Sequence, residues 1–207
     1  MSPKNSKLDK IKELYDSNLE THGLSSKSVG WPDKKSQLLR FEKLLSVVDN
    51  PSRPFTINEL GCGYGELFRY LIKNDFKVRK FYGYDISEKM IAAAGKYISD
   101  KRVSLICSSE ITTKADYTIT SGIFNVAFGE DKKKWEKYIK RTLVEMFENS
   151  GKGISFNLLT SYVDFKAKNL YYADPFVFFD FCKKRLSRKV NLLHDYPLFE
   201  WTITVRK

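Results

Sequence analysis

Apolar residues recur along the chain with two different periods, and the switches between them outline the architecture. Leu8, Ile11, Leu14 and Tyr15 fall on one stripe of residues 7–20, with Lys, Glu and Asp opposite, which predicts a helix. A polar stretch, 21–32, leads to a second helical pattern at about 33–48 carrying Leu38, Phe41, Leu44, Leu45 and Val48. From residue 55 a β-prone run with Ile57 and Leu60 ends in glycines, and helix spacing resumes at Leu67, Tyr70, Leu71 and Ile72. Strand then alternates with helix. The pattern predicts strands at 81–85, 103–107, 116–121 and 154–160, and helices at 87–98, at 130–149 and from Pro175 onward. Trp135, Tyr138, Ile139, Leu143, Met146 and Phe147 form the inward stripe of the long helix, with Gly151 and Gly153 at its end. Two final β runs flank a turn around 194–197. Such alternation predicts an α/β fold in one domain spanning 1–207, with 1–50 as an N-terminal helical cap and 51–207 as the core.

The chemistry concentrates at the first strand's end. Residues 59–65 read Glu-Leu-Gly-Cys-Gly-Tyr-Gly, with glycines at 61, 63 and 65. They permit a sharp turn and let a ligand lie against bare main chain near a helix N-terminus. A dinucleotide loop would need glycine at 66, where Glu66 stands. Glu59 adds a carboxylate that would repel a pyrophosphate and suits a ligand carrying positive charge. Asp85 closes the next strand, at the spacing where an acid can take both ribose hydroxyls.

Glu59-x-Gly61-x-Gly63-x-Gly65 followed by Tyr84-Asp85-Ile86-Ser87-x-x-Met90 resembles motifs I and II of the class I S-adenosylmethionine (SAM)-dependent methyltransferases. The resemblance implies a Rossmann-like, seven-stranded, mostly parallel sheet with an antiparallel last strand. It implies SAM as cofactor, with Gly61 and Gly63 (and Cys62 between them) at its methionyl part, Asp85 on the ribose, and Ile86 with Met90 on adenine. Ser109 and Glu110 stand where the family places a polar residue near adenine. Ser121 and Gly122 end the fourth strand, where glycine permits close approach of the cofactor. Ser121-Gly-Ile-Phe-Asn125 lacks the prolines of many amino-methylating nucleic-acid enzymes, so O-methylation is favoured over N-methylation.

The N-terminal helices would close over the cofactor. Arg40 either meets the methionyl carboxylate through charge-assisted hydrogen bonds or is a surface arginine with a packed stem. Tyr15 and Trp31 are either cap residues against the cofactor or core aromatics. A hydroxyl acceptor needs its proton removed, which makes His194 a candidate base, with Tyr171 a second catalytic candidate; a structural histidine is the alternative for His194. The long segment 161–174 after the fifth strand reads as an acceptor lid with Tyr162, Tyr172 and Asp174. His22 and Asn125 complete the candidate substrate contacts.

The 36 basic residues against 25 acidic ones give a net charge of +11, which favours anionic partners unless the lysines are simply solvated helix faces. Stretches at 121–125, 170–175 and 193–197 resemble small bacterial methyltransferases, some associated with surface-polysaccharide gene clusters. That implies a sugar or other phosphorylated small-molecule acceptor. An RNA methyltransferase and a catalytically silent SAM-binding subunit remain alternatives, although the basic residues are scattered, which makes nucleic acid a poor partner. The three cysteines, Cys62, Cys107 and Cys182, show neither metal-ligand nor disulfide spacing, so no metal and a reducing cytoplasm are expected. No apolar run suits membrane insertion, and the first seven residues lack the apolar core of a secretory signal.

Overall fold

The structure, a computed structural model, describes residues 7–207; the reading of a missing secretory signal rests largely on residues outside that range. Seven strands lie in the order β3-β2-β1-β4-β5-β8-β7: β1 (Phe55–Leu60), β2 (Val78–Asp85), β3 (Val103–Cys107), β4 (Ala115–Thr120), β5 (Ser150–Thr160), β7 (Lys189–Leu193) and β8 (Glu200–Arg206). An eighth, two-residue strand, β6 (Tyr172–Ala173), exceeds the expected seven. Leu159 pairs with both Tyr172 and Glu200, so β6 occupies the β4 side of β5, beyond the point where β4 has ended. β8 is antiparallel to both neighbours and the remaining pairings are parallel, so β7 points the same way as β1.

Helices α1 (Lys7–His22), α2 (Lys34–Leu45), α3 (Glu66–Lys73), α4 (Glu88–Tyr97), α5 (Lys132–Glu148) and α6 (Pro175–Arg185) cover the sheet, with a 3₁₀ turn at Ser26–Val29 inside the polar stretch. Side-chain oxygens of Asp33, Ser87, Asp131 and Asp174 accept backbone N–H groups at the starts of α2, α4, α5 and α6, satisfying donors the helices themselves leave free. One apolar cluster joins Phe41, Leu44 and Leu45 of α2 to Leu67 and Leu71 of α3 and to Ile57 and Phe81 of the sheet. The other joins Ile139, Leu143 and Met146 of α5 and Phe178 of α6 to Phe156, Trp201 and Ile203. α2 is therefore a full layer of the sandwich, beside α3. Between β3 and β4 no helix intervenes among the described residues; Leu8, Ile11 and Leu14 of α1 join the second cluster, alongside Tyr82 and Ile106.

Two sequence expectations shift. β5 begins at Ser150, so Gly151 and Gly153 lie in a strand; at Gly153 a side chain would press on the Val205 carbonyl, 2.5 Å from an added Cβ. The segment 161–174 is also tied down rather than free. The Ala127 and Phe128 amides donate to Asn169, the Ser161 amide to Ala173, and Val126 bridges Leu170.

Candidate functional site

Strand register creates the site. Leu60 sits opposite Tyr84 on one side and Thr120 on the other, and Asp85 sits opposite Cys107. The chain therefore leaves β1, β2, β3 and β4 together at one sheet edge, and the crossovers turn to opposite faces between β1 and β4. That is the place where open α/β sheets bind ligands. A cleft enclosing about 920 Å³ of empty space, part of it open to solvent, lies there.

The glycine turn forms its floor. Gly61 and Cys62 both donate to the Tyr84 carbonyl, at 2.7 and 2.8 Å. Gly61 has φ 78°, and a Cβ there would come within 2.1 Å of the Ile123 side chain. Only glycine fits. Asp85 spans the turn and the next helix, because Oδ2 accepts the Gly63 N–H at 2.9 Å and Oδ1 accepts the Ser87 N–H at 2.9 Å. Ser87 in turn donates from Oγ to Asp16, which ties α1 to this edge.

Among the described residues the cleft's charged lining is acidic throughout: Glu59, Glu66 and Asp85, with no Lys or Arg. Glu59 is buried and its Oε2 has no hydrogen-bond partner; neither does Ser121 Oγ. Burial, with the Asp85 charge adding to it, pushes the Glu59 carboxyl well above the ordinary glutamate value. Burial raises Asp85 too, partly offset by the Ser87 and Gly63 amides. Tyr15 is pushed up to about 12 by burial and by Asp85, and burial first among the causes raises the Cys62 thiol, leaving it inert. A buried carboxylate oxygen without a partner is costly, and a cationic or donor-bearing ligand would relieve that cost.

Of the residues singled out from the sequence, the cleft gathers Tyr15, Trp31, Glu59, Gly61, Cys62, Gly63, Asp85, Ile86, Met90, Ser109 and Ser121. Gly122 lies directly beneath Trp31. Others are placed elsewhere. Arg40 is buried against Glu200, with Nε and Nη2 at 2.7–3.0 Å from its carboxylate, and does not line the cleft. Glu110 is exposed, and Ser108 takes the lining position beside Ser109. The Tyr171 hydroxyl is not poised for proton transfer: it donates to Glu136 at 3.1 Å, and burial with that carboxylate drives its pKa far up. Asn125 ties the loop after β4 to β5, its Oδ1 accepting the Leu159 N–H at 3.2 Å, while Asp174 caps α6. Tyr172 accepts the Ala167 N–H at 3.2 Å, and His22 is exposed at the end of α1.

His194 follows β7 at the same sheet edge and is exposed, its ring 5.9 Å from that of Tyr162. β7 lies four strand positions from β1, about 19 Å at ~4.8 Å per strand, which is too far for a base acting beside the glycine turn. Sequence reasoning missed Val29, Tyr64 and Tyr138, all lining the cleft. Tyr64 stands inside the glycine motif and was legible there. Tyr138 carries no signal beyond its apolar stripe.

Known proteins share this pattern. The family model described as "Methyltransferase domain" matches residues 58–146, which hold the turn and the second acid. The Mycobacterium tuberculosis (strain ATCC 25618 / H37Rv) protein named "Putative methyltransferase Rv1506c" is 46% identical over 161 residues, covering 76% of this chain and 96% of that one. Among solved structures, magnesium protoporphyrin IX methyltransferase (ChlM) from Synechocystis PCC 6803 with bound SAH superposes with TM-score 0.70 at 10% identity, over 98% of this chain and 100% of that chain. The DhpI–SAH complex superposes with TM-score 0.67 at 13% identity, over 98% of both.

Proposed function

Because the chain belongs to the class I SAM-dependent methyltransferases, we propose that its cleft presents SAM to a small sugar-bearing, phosphorylated acceptor whose hydroxyl oxygen takes the methyl group. SAM is the cofactor and S-adenosylhomocysteine the product. One observation carries the placement: the buried, unpartnered Glu59 oxygen stands beside Asp85 in a cleft that no Lys or Arg lines among the described residues. Bound there, the cofactor supplies a methyl group made electrophilic by a positively charged sulfur.

This chain's residues bind and orient. Each Asp85 oxygen spends one lone pair on a backbone amide and keeps acceptor capacity for ribose hydroxyls. Ile86 and Met90 offer an apolar wall to adenine, with Ser108 and Ser109 at its edge. Tyr15 stays protonated at neutral pH and serves as a donor. The catalytic contribution is chiefly alignment of the acceptor oxygen with the methyl group in a partly closed site, the hydroxyl proton passing to water at the cleft's open side.

For the acceptor, support comes from the loops that follow β5 and precede β8. Tyr162, Phe165 and Phe199 are 61%, 80% and 64% exposed at the sheet edge shared with the cleft, and exposed rings of this kind suit the apolar face of a sugar. Lys166 and Lys168 on the same loop would meet a phosphate outside the acidic cleft. A surface-polysaccharide precursor fits these demands. His194 belongs to this rim with Tyr162 in our reading. The free cysteines suit a reducing compartment, and among the described residues no helix is long and apolar enough to cross a membrane.

The test is incubation with methyl-labelled SAM and separate pools of sugar phosphates, nucleotide-sugars and RNA. Label in a sugar-bearing pool is the expected result. Transfer to RNA alone would overturn the acceptor assignment, and absence of any thermal stabilisation by SAM would overturn the cofactor site.

A further inference from the structure

We propose that Arg40 is a positioning residue for methyl transfer, acting through Trp31, and that Glu200 and Asn157 hold it in place. This rests on the reading of the cleft as the cofactor site. The contacts close into a ring. Glu200 Oε2 accepts from Arg40 Nε at 2.9 Å and from Asn157 Nδ2 at 3.0 Å. Asn157 Oδ1 accepts the Gly122 N–H at 2.8 Å. The Arg40 guanidinium lies 3.7 Å from the centroid of the Trp31 ring, and that indole presses back on Gly122, where a Cβ would come within 2.4 Å of it. Trp31 and Ser121, the neighbour of Gly122, both line the cleft.

Simple structural glue explains this arrangement poorly. Arg40 is 6% exposed and Glu200 not at all, so the pair bears a desolvation cost that a well-packed apolar pair would avoid. The guanidinium is not even fully satisfied, since Nη1 is buried without a partner. What the pair supplies is a fixed, planar cationic face under an indole, which an aliphatic pair cannot offer. The ring also ties the polar side chains of three pieces together: α2, the strands β5 and β8, and the turn after β4. Its product is a set distance between the Trp31 wall and Ser121. Acceptor and cofactor must meet in that gap, where small misplacements are costly in rate.

Trp31 is half-buried while Trp135 and Trp201 are buried, so acrylamide quenching of tryptophan emission reports mainly on Trp31 in the ligand-free protein. Arg40→Lys keeps the charge for Glu200 but loses the planar face. We expect its quenching constant to rise about twofold and its SAM affinity by calorimetry to fall about tenfold, the scale of one desolvated cation–π contact. In a Trp31→Leu background the same substitution should change SAM affinity by less than about twofold. Equal losses in both backgrounds would overturn the proposal, because Arg40 would then act independently of Trp31. Gly122→Ala leaves the ion pair untouched and displaces the indole from the other side, so it too should raise quenching should Arg40→Lys fold poorly. Unchanged quenching in either folded variant would likewise overturn the proposal. Failure of the wild-type protein to bind SAM refutes the cofactor reading instead, and the quenching result still decides whether Arg40 holds Trp31 in place.

Discussion

The tips of β1 and β2 present a bare glycine turn and two carboxylates, supplied by two short stretches, 59–65 and 85–87. The tips of β5, β7 and β8, on the same edge, present exposed side chains from segments as far apart as Tyr162, His194 and Phe199. The first region is acidic and mostly buried; the second is aromatic and open. Between them stands the Arg40–Glu200 pair, joining residues 160 positions apart. The contrast teaches that one sheet edge can carry two kinds of surface, one built within a short strand–turn–helix segment and one assembled from the loops of distant segments.

The comparison can be broken most forcefully at its junction. Glu200→Ala leaves Arg40 as an uncompensated buried cation, which costs about 3–5 kcal/mol. At roughly 2–4 °C per kcal/mol for a chain of this size, the melting temperature should fall by about 10 °C in a thermal scan. A change within a degree or two would mean that the two regions are not coupled through this pair.

Asp85→Ala strips the cofactor region alone. It removes the ribose acceptor and frees the Gly63 and Ser87 amides, so SAM affinity should fall at least about a hundredfold, near 2.7 kcal/mol, and the SAM-induced thermal shift should vanish. A retained shift would dismiss the ribose assignment.

Glu59→Gln sharpens the contrast by separating stability from binding. Glu59 has its folded pKa raised above the ordinary 4.5. Its stabilising contribution is therefore fully present below about 4.5 and is lost as pH rises through the raised folded value. At neutral pH the unfolded glutamate is ionised, so burying this carboxyl burdens the ligand-free protein, and the glutamine variant should melt a few degrees higher while binding SAM about tenfold more weakly. The advantage in melting temperature should shrink as pH is lowered. A lower melting temperature at pH 7 would show that Glu59 already has an internal counter-charge.

Tyr162→Ala is the mildest test and touches the open region. It should raise the acceptor KM several-fold, the scale of one stacking contact, and leave the SAM dissociation constant unchanged by calorimetry. A matching loss of SAM binding would merge the two regions into one.

Legibility followed the same division. The glycine turn, Glu59, Asp85 and the flanking elements were readable because each depends on contacts within a strand–turn–helix unit or at a fixed strand-to-strand spacing. The helices at 7–20 and 33–48 were also readable as helices, within a few residues of Lys7–His22 and Lys34–Leu45. Their packing was not. An apolar stripe says that a helix buries one face without saying which surface covers it, so α2 emerged as a layer of the sandwich. Arg40 read as a cofactor contact or a surface arginine because its partner, Glu200, lies at the far end of the chain. Tyr171 looked reactive because nothing local announces Glu136. The strand β6 has two residues and no period to detect.

Local backbone preference and side-chain periodicity were thus enough for the class of fold, the order of its elements and the place of the glycine turn, since each is decided within a few tens of residues. Tertiary structure alone decided what covers each helix face, which charges are buried in pairs, and which aromatic rings share the open rim. Those outcomes depend on strand register and on contacts between segments up to 160 residues apart, where no spacing in the chain encodes the meeting.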